Sequence, residues 1–435
     1  MKNENDPSGV FGLLLPEIGR AVSEAGYTTP SPIQEQTIPS LIEERDMIGC
    51  AQTGTGKTAA FTLPILHYLG TNKKRPASGK PRVLVLAPTR ELAAQIGDSV
   101  AKYGKYTQTV HTVIFGGVGQ NPQVKAVRRG VDVLVATPGR LLDLVQQGHV
   151  NLSAVEIFVL DEADRMLDMG FIHDIKKIIA RLPAKRQSLF YSATMEPKVR
   201  DLARSLVRDP VHVTIDPETP AVERITQKVL FVDKKNKDEL IVNVMGNKKR
   251  ERVIVFTQMK HVANKVASKL EKVGISCAAI HGNKSQTART NALAGFKAGK
   301  VRVLVATDIA ARGIDVDGIS HVINYDLPIE PETYVHRIGR TARAGAEGDA
   351  ISFCSASERD YLRAIEKLIR STVPVDLKHP FHCEKSQNAT GADAKPGPKV
   401  RQNRGKVTVG ADGRSKRKGG NRPPRIQSRR ESGRR

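Results

Sequence analysis

Tryptophan is absent from the 435 residues, and aromatic residues make up only 4% of them. So few rings argue against recognition by stacking on aromatic platforms. Cysteine is scarce too. Cys50, Cys277, Cys354 and Cys383 lie far apart, with no CxxC pair. That spacing argues against a zinc site or a disulfide framework and fits a reducing, cytoplasmic setting. No apolar run reaches bilayer-spanning length, so no membrane partner is expected. The first ten residues, MKNENDPSGV, lack the apolar core of a secretory signal. Acids are in short supply: 45 Asp and Glu stand against 69 Lys and Arg, a net charge of +24.

A field of that size attracts polyanions, of which nucleic acid is the usual one. With few rings to stack on bases, the expected grip is on the sugar–phosphate backbone. The charge is uneven. Residues 391–435 include the cluster RSKRK, end in RRESGRR, and carry about half of the net charge. They hold almost no large apolar side chains, so they are expected to stay disordered.

Upstream, short β-branched runs alternate with helical patterns. RVLVLAPT, VDVLVATP, VEIFVLDEAD and RQSLFYSAT are apolar stretches that end in polar residues. Such runs, apolar on both faces and separated by helices, predict a buried parallel sheet. The pattern restarts with RVIVFTQ, VRVLVATD and HVINYDLP, after a DPETP segment that reads as a linker. VLVAT occurs in both halves, at 133–137 and 303–307, continuing as PGR in one and DIAARGID in the other. Two α/β lobes of similar plan are therefore expected. Each VLVAT strand would deliver a threonine to the carboxyl edge of its sheet, where open α/β sheets bind ligands.

AQTGTGKT at 51–58 follows an apolar stretch and precedes a helical run. This is a P-loop: Ala51, Gln52, Thr53, Gly54, Thr55 and Gly56 would wrap the phosphates of ATP. Lys57 would reach the β/γ-phosphates, and the Thr58 hydroxyl would bind Mg²⁺. VEIFVL runs into Asp161 and Glu162. Asp161 would hold the Mg²⁺, and Glu162 would activate the attacking water. The second half has no P-loop. It has HRIGRTARAG, in which Arg340 and Arg343 are three apart and share a helical face. Arginines from another lobe can stabilise a transferring phosphoryl group.

Together these motifs make the chain resemble the DEAD-box ATP-dependent RNA helicases of superfamily 2, over roughly residues 11–370. DEAD is Asp161–Asp164. The Q motif is GYTTPSPIQ at 26–34, followed by PTRELA, Gly116-Gly117, TPGR, SAT, VIVFTQ, HGN, QTAR, ATDIAARGID and HRIGRTAR in family order. A compact core with a basic tail looks most like the bacterial RhlE-type subfamily.

The resemblance implies two tandem RecA-like domains with parallel sheets: residues 1–215 and 223–375, joined by a linker at 216–222 and followed by a disordered basic tail at 376–435. It implies that Gln34 reads the adenine edge, that Tyr27 packs near that ring, and that Gly313 and Asp315 face the nucleotide. RNA contacts are expected from Pro88, Thr89, Arg90, Gly117, Thr137, Pro138, Gly139 and Arg140. In the second lobe they are expected from His281, Gly282, Arg289, Thr307 and Asp308. Asp164, Ser192, Thr194 and His336 would couple the lobes. The segment before the Q motif is two residues shorter than the family pattern, which leaves the role of Phe11 open. The implied activity is RNA-stimulated ATP hydrolysis coupled to unwinding of short duplexes. An ATP-gated RNA clamp is the alternative, and a DNA translocase fits less well. Ribosomal or RNA-decay proteins are the expected partners of a monomeric core.

Overall fold

The computed structural model describes residues 9–52, 54–215, 225–311, 316, 318–342 and 347–395. Among the described residues, thirteen strands form two sheets. The first holds β1 (Met47–Cys50), β2 (Val83–Leu86), β3 (His111–Ile114), β4 (Val133–Ala136), β5 (Ile157–Leu160), β6 (Gln187–Ser192) and β7 (Val211–Thr214). Its order is β3-β4-β2-β5-β6-β1-β7. The second holds β8 (Ile225–Phe231), β9 (Val253–Thr257), β10 (Cys277–Ile280), β11 (Val303–Thr307), β12 (His321–Asn324) and β13 (Gly348–Cys354), in the order β10-β11-β9-β12-β13-β8. All the pairings are parallel. Both sheets belong to one compact unit that ends at Lys395.

Side-chain alternation explains the double burial. In VLVL and VLVA, the valines Val83, Val85, Val133 and Val135 enter one core with Phe61, Ile65 and Ile96. Their neighbours Leu84, Leu86, Leu134 and Ala136 enter the other, with Leu141, Ile175 and Leu202. Period-two alternation thus feeds a hydrophobic layer on each face. The second sheet repeats this plan: Val303 and Val305 pack with Leu240 and Val266, while Leu304 and Ala306 pack with Phe296. Phe11 is fully buried in the first core, so the shortened entry segment still closes that core.

Apart from the added edge strand β7, the two sheets have the same strand order. The duplicated VLVAT falls on corresponding strands, β4 and β11, each second from its edge. Two alike α/β lobes are as expected. The tail boundary is not. The domain division put the start of the disordered tail at residue 376. Instead residues 373–394 run along β8, the edge of the second sheet. Val229 N donates to Pro374 O and Asp376 N to Val229 O, both at 2.9 Å, and Cys383 N donates to Phe231 O at 3.0 Å. Lys228 pairs with Asp376 at 2.9 Å, and Val373, Ala389 and Ala394 are buried. An exposed strand edge gains partners this way, which outweighs the segment's polar composition. The expected linker at 216–222 and the rest of the tail, 396–435, lie outside the described residues. Among the described residues no helix is long and apolar enough to cross a membrane.

Candidate nucleotide and nucleic-acid site

Strand β1 leads through residues 51–56 into the helix Lys57–Thr71. Gly54 and Gly56 take φ of 90° and 93°, a region open to glycine. At Gly56 a Cβ would also stand 2.6 Å from Gln34 Nε2, so the Q-motif glutamine fits only because that side chain is missing. Gln34 is buried. Its Nε2 donates to Gly56 O at 3.2 Å, and its Oε1 accepts from Ser31 N at 2.9 Å. Ser31 Oγ donates to Thr55 O at 2.8 Å. The Q motif therefore braces the P-loop directly. Thr55 Oγ1 donates to Gln52 O, Lys57 Nζ donates to Ala51 O at 2.5 Å, and Thr58 is half-buried. The Tyr27 ring meets Tyr103 edge-on with centroids 6.1 Å apart, under the Lys102 ammonium. Thr53 lies outside the described residues.

Asp161 and Glu162 follow β5. Asp161 is buried, and its Oδ1 accepts from Glu162 N at 2.9 Å. Burial pushes its carboxyl up to about 7; Lys57 opposes this and Glu162 adds to it. Glu162 takes the left-handed φ of 53°, uncommon for a residue with a side chain. Burial works against its ionisation too, but Arg165, Lys57 and Arg340 outweigh that and hold its carboxyl below the usual range. Arg165 bonds to Glu162 Oε2 directly. Asp164 Oδ2 accepts from Ala193 N and Thr194 N, both at 3.0 Å, and from Thr194 Oγ1 at 3.3 Å. Thr194 N also donates to Ser192 Oγ, and Ala51 N to Ser192 O. The SAT loop thus ties the DEAD residues to the P-loop.

A hydroxyl at Thr58 and a buried carboxylate at Asp161, whose ionisation a cation would favour, are the hard oxygen donors that Mg²⁺ takes. Mg²⁺ usually keeps one or two carboxylates and draws other ligands from phosphate and water. The donor set fits that habit.

The carboxyl edge of the first sheet also carries Pro88, Thr89 and Thr137, all buried or nearly so. Thr89 Oγ1 caps the helix Arg90–Tyr103 by accepting from Leu92 N. Pro138 and Gly139 open the helix Pro138–Gln146. Gly139 has open space about it, and Arg140 Nη2 donates to Val118 O. Gly117 is crowded by the Arg90 guanidinium, which would lie 2.2 Å from a Cβ there.

In the second lobe His281 is buried. Its Nδ1 accepts from Asn283 N, and its Nε2 faces Asn264 Oδ1 at 3.0 Å. Burial, then Lys284, Lys260 and Arg289, draw its pKa down; Gly282 beside it is exposed. Thr307 is buried at the end of β11, and Asp308 is held bidentately by Arg337 at 2.5 and 2.8 Å. Arg337 also donates to Asn324 Oδ1 and Asp326 O.

The lobes meet through PTRELA and QTAR. Arg90 Nη1 donates to Gln286 Oε1, and Gln286 Nε2 donates to Glu91 Oε1, both at 3.2 Å. Arg289 pairs with Glu91 at 2.8 Å, with both side chains almost closed to solvent. Arg90 and Arg289, expected on RNA, both take part in this contact between the lobes. Arg340 is buried on the second lobe, yet its charge reaches Glu162 on the first. Its Nε donates to the carbonyl of the exposed His336. Gly313, Asp315 and Arg343 lie outside the described residues.

Sequence reasoning missed Arg165, Arg337, Glu91 and Gln286 as site residues. All four stand inside or beside quoted motifs, and Arg165 is placed one helical turn from Glu162. That spacing was the available signal.

Two family models match: DEAD/DEAH box helicase over residues 31–202 and helicase conserved C-terminal domain over 236–345. The chain is 45% identical over 360 residues to the ATP-dependent RNA helicase RhlB of Pseudomonas syringae, covering 81% of this chain and 90% of that protein. It is 43% identical to DBP2 of Candida albicans and 42% to DeaD of Mycobacterium tuberculosis, covering 82% of this chain in each case. It spans only 65% and 62% of those two proteins. Among solved structures, S. cerevisiae Dbp5 bound to RNA and ADP-BeF3 matches with a TM-score of 0.73 at 33% identity, over 83% of this chain and 94% of that one. Mss116p bound to ssRNA and AMP-PNP matches at 0.75 and 28%, over 87% and 81%. Matched along both lobes, the chain belongs to the DEAD-box ATP-dependent RNA helicases.

Proposed function

We propose that the chain hydrolyses ATP in response to single-stranded RNA and uses the cycle to open short RNA duplexes or remodel RNA–protein complexes. The observation that carries this reading is that the charge of Arg340, on the second lobe, acts on the Glu162 carboxyl of the first. A general base on one lobe and a phosphate-facing cation on the other make turnover depend on closure, and closure can depend on RNA.

Lys57 exchanges the Ala51 carbonyl for phosphate oxygens, while Ser31 and Gln34 keep the P-loop in shape. Thr58 and Asp161 would hold Mg²⁺, which when bound would offset negative charge on the phosphates. Glu162 takes a proton from the attacking water. Arg340, with Arg343, offsets charge on the transferring phosphoryl group, a role in which an arginine can count for about 10³-fold or more. Thr137, Gly139 and Arg140 on one lobe, with Thr307 and Asp308 on the other, line the carboxyl edges where the RNA backbone is held. The RhlE-type assignment rests on the basic tail after a compact core. A cytoplasmic location and ribosomal or RNA-decay partners belong to the same reading.

The test is ATPase and strand-displacement rate with and without single-stranded RNA, in the whole chain and in Arg340→Ala. RNA should raise turnover in the first and hardly in the second. A full ATPase rate without RNA, or from the first lobe alone, would sink the reading. Long residence on RNA with ATP but no strand displacement would favour the clamp.

A further inference from the structure

The shared strand order pairs β1 with β8, β5 with β12 and β6 with β13. In the first lobe the strand β1 runs into a helix whose first residue is Lys57; in the second, β8 runs into the helix Lys237–Met245, whose first residue is Lys237. In the first lobe β5 delivers Asp161 toward the lysine. In the second, β12 delivers Asp326, whose Oδ1 lies 3.2 Å from Lys237 Nζ. The second lobe therefore keeps a buried lysine at the start of the corresponding helix and a carboxylate just past the corresponding strand, at the register position that Glu162 holds in the first.

The loops differ. Residues 232–236 read VDKKN, shorter than 51–56 and without glycine, so they cannot wrap an anion with backbone N–H groups as a P-loop does. Glu358, which follows β13, comes to Lys237 instead. Its two oxygens lie 2.9 and 2.7 Å from Nζ. Oε1 also accepts from Leu327 N, and Oε2 from Ser355 N and Ser355 Oγ. One ammonium, two backbone N–H groups and a hydroxyl converge on one carboxylate. That is the donor set a phosphate takes. Lys237 is 2% exposed and Glu358 7%. Beside them, a cavity of about 260 Å³ lined by Asp233, Lys234, Ser355 and Ser357 opens at the ends of β8 and β13.

We propose that the second lobe retains the frame of a phosphate site around Lys237, and that the Glu358 carboxylate permanently occupies the anion's place. The substitute closes this lobe to nucleotide phosphates and leaves triphosphate binding to the P-loop. It also locks the end of β12 to the start of the helix Arg359–Ile369. This stands independently of the reaction proposed above.

The test uses full-length chains that all carry Lys57→Ala, so that the P-loop adds no phosphate response. Removing Glu358 as Glu358→Ala leaves Lys237 buried beside a gap. Inorganic phosphate should refill it and raise the thermal midpoint saturably, relative to chloride at matched ionic strength. A rise of roughly 2–4 °C is expected when phosphate is about five times its dissociation constant. Glu358→Gln keeps the volume, and Lys237→Met with Glu358→Ala removes the cation, so neither should respond. An equal rise with Glu358 intact, or no rise in Glu358→Ala, overturns the proposal. Should Glu358→Ala fail to fold in chloride, refolding in phosphate decides. Recovery that also needs Lys237 supports the proposal, and no recovery overturns it.

Discussion

Arg165 holds the Glu162 carboxylate from one helical turn away, with only 12% and 8% of the two side chains exposed. It bonds Oε2, while the Glu162 backbone is kept in its left-handed conformation. A base on a strained backbone needs such support to keep one direction.

Arg165→Gln should therefore lower kcat at saturating ATP and RNA by roughly 10- to 100-fold, the scale of a small misplacement of a reacting group. The KM for ATP should stay within about twofold. Arg165→Lys should recover part of the loss. In a Glu162→Gln background the same change should add little, because the two residues act as a unit. Multiplying losses, or a kcat raised by Arg165→Gln, would show that Arg165 does not position the base.

Gln34→Ala tests whether the Q motif braces the loop as well as reading a base. The amide is spent on Gly56 O and Ser31 N. Losing one net hydrogen bond costs about 1 kcal/mol, or roughly fivefold in affinity. Affinity for inorganic tripolyphosphate should fall by about that factor, and affinity for ATP by more. Tripolyphosphate binding that does not change would confine Gln34 to the adenine.

Much of this site was legible because chemistry needs particular residues at particular spacings. AQTGTGKT and DEAD declared themselves, and the valine–leucine alternation foretold the buried sheets. Contacts between distant segments were not legible. Nothing in PTRELA says that Glu91 will meet Arg289, 198 positions on. Nor does a lysine in VDKKNK announce a buried triad with Asp326 and Glu358. The tail was expected to begin at residue 376, yet a strand edge that lacked partners took in the segment through Asp376 and Cys383.

The Glu91–Arg289 pair gives a prediction about closure. Both side chains are nearly dry, so removing one leaves the other a buried charge without its partner. Glu91→Ala and Arg289→Ala should each lower RNA-stimulated ATPase and raise the RNA concentration needed for half-stimulation. In the double variant the losses should not add; the coupling should be about 1–3 kcal/mol. Independent effects would mean that Arg289 serves the RNA alone.

Two truncations separate the segment along β8 from the basic residues beyond it. Ending the chain after Lys395 removes most of the excess charge of 391–435 and leaves every bond to β8 in place. The thermal midpoint and the kcat at saturating RNA should be unchanged. RNA affinity should fall, and its dependence on salt should flatten by roughly 0.7 in log K against log [salt] for each lost phosphate contact on single strands. Ending after Arg370 goes further. It removes the bonds of Pro374, Asp376 and Cys383 to β8, the bond from Ser386 Oγ to Val232 O, and the acceptors Gln387 O and Ala389 O, which Arg359 and Arg363 use. It also uncovers the apolar surface under Val373, Phe381 and Ala389. At about 1 kcal/mol for each of several hydrogen bonds, before any apolar term, the loss should lower the midpoint by at least about 5 °C. Thermal melts and salt-series RNA titrations on the three lengths check both halves. A midpoint that already falls on ending after Lys395 would mean that residues 396–435 help hold the fold. A midpoint that survives ending after Arg370 would mean that β8 needs no partner along that edge.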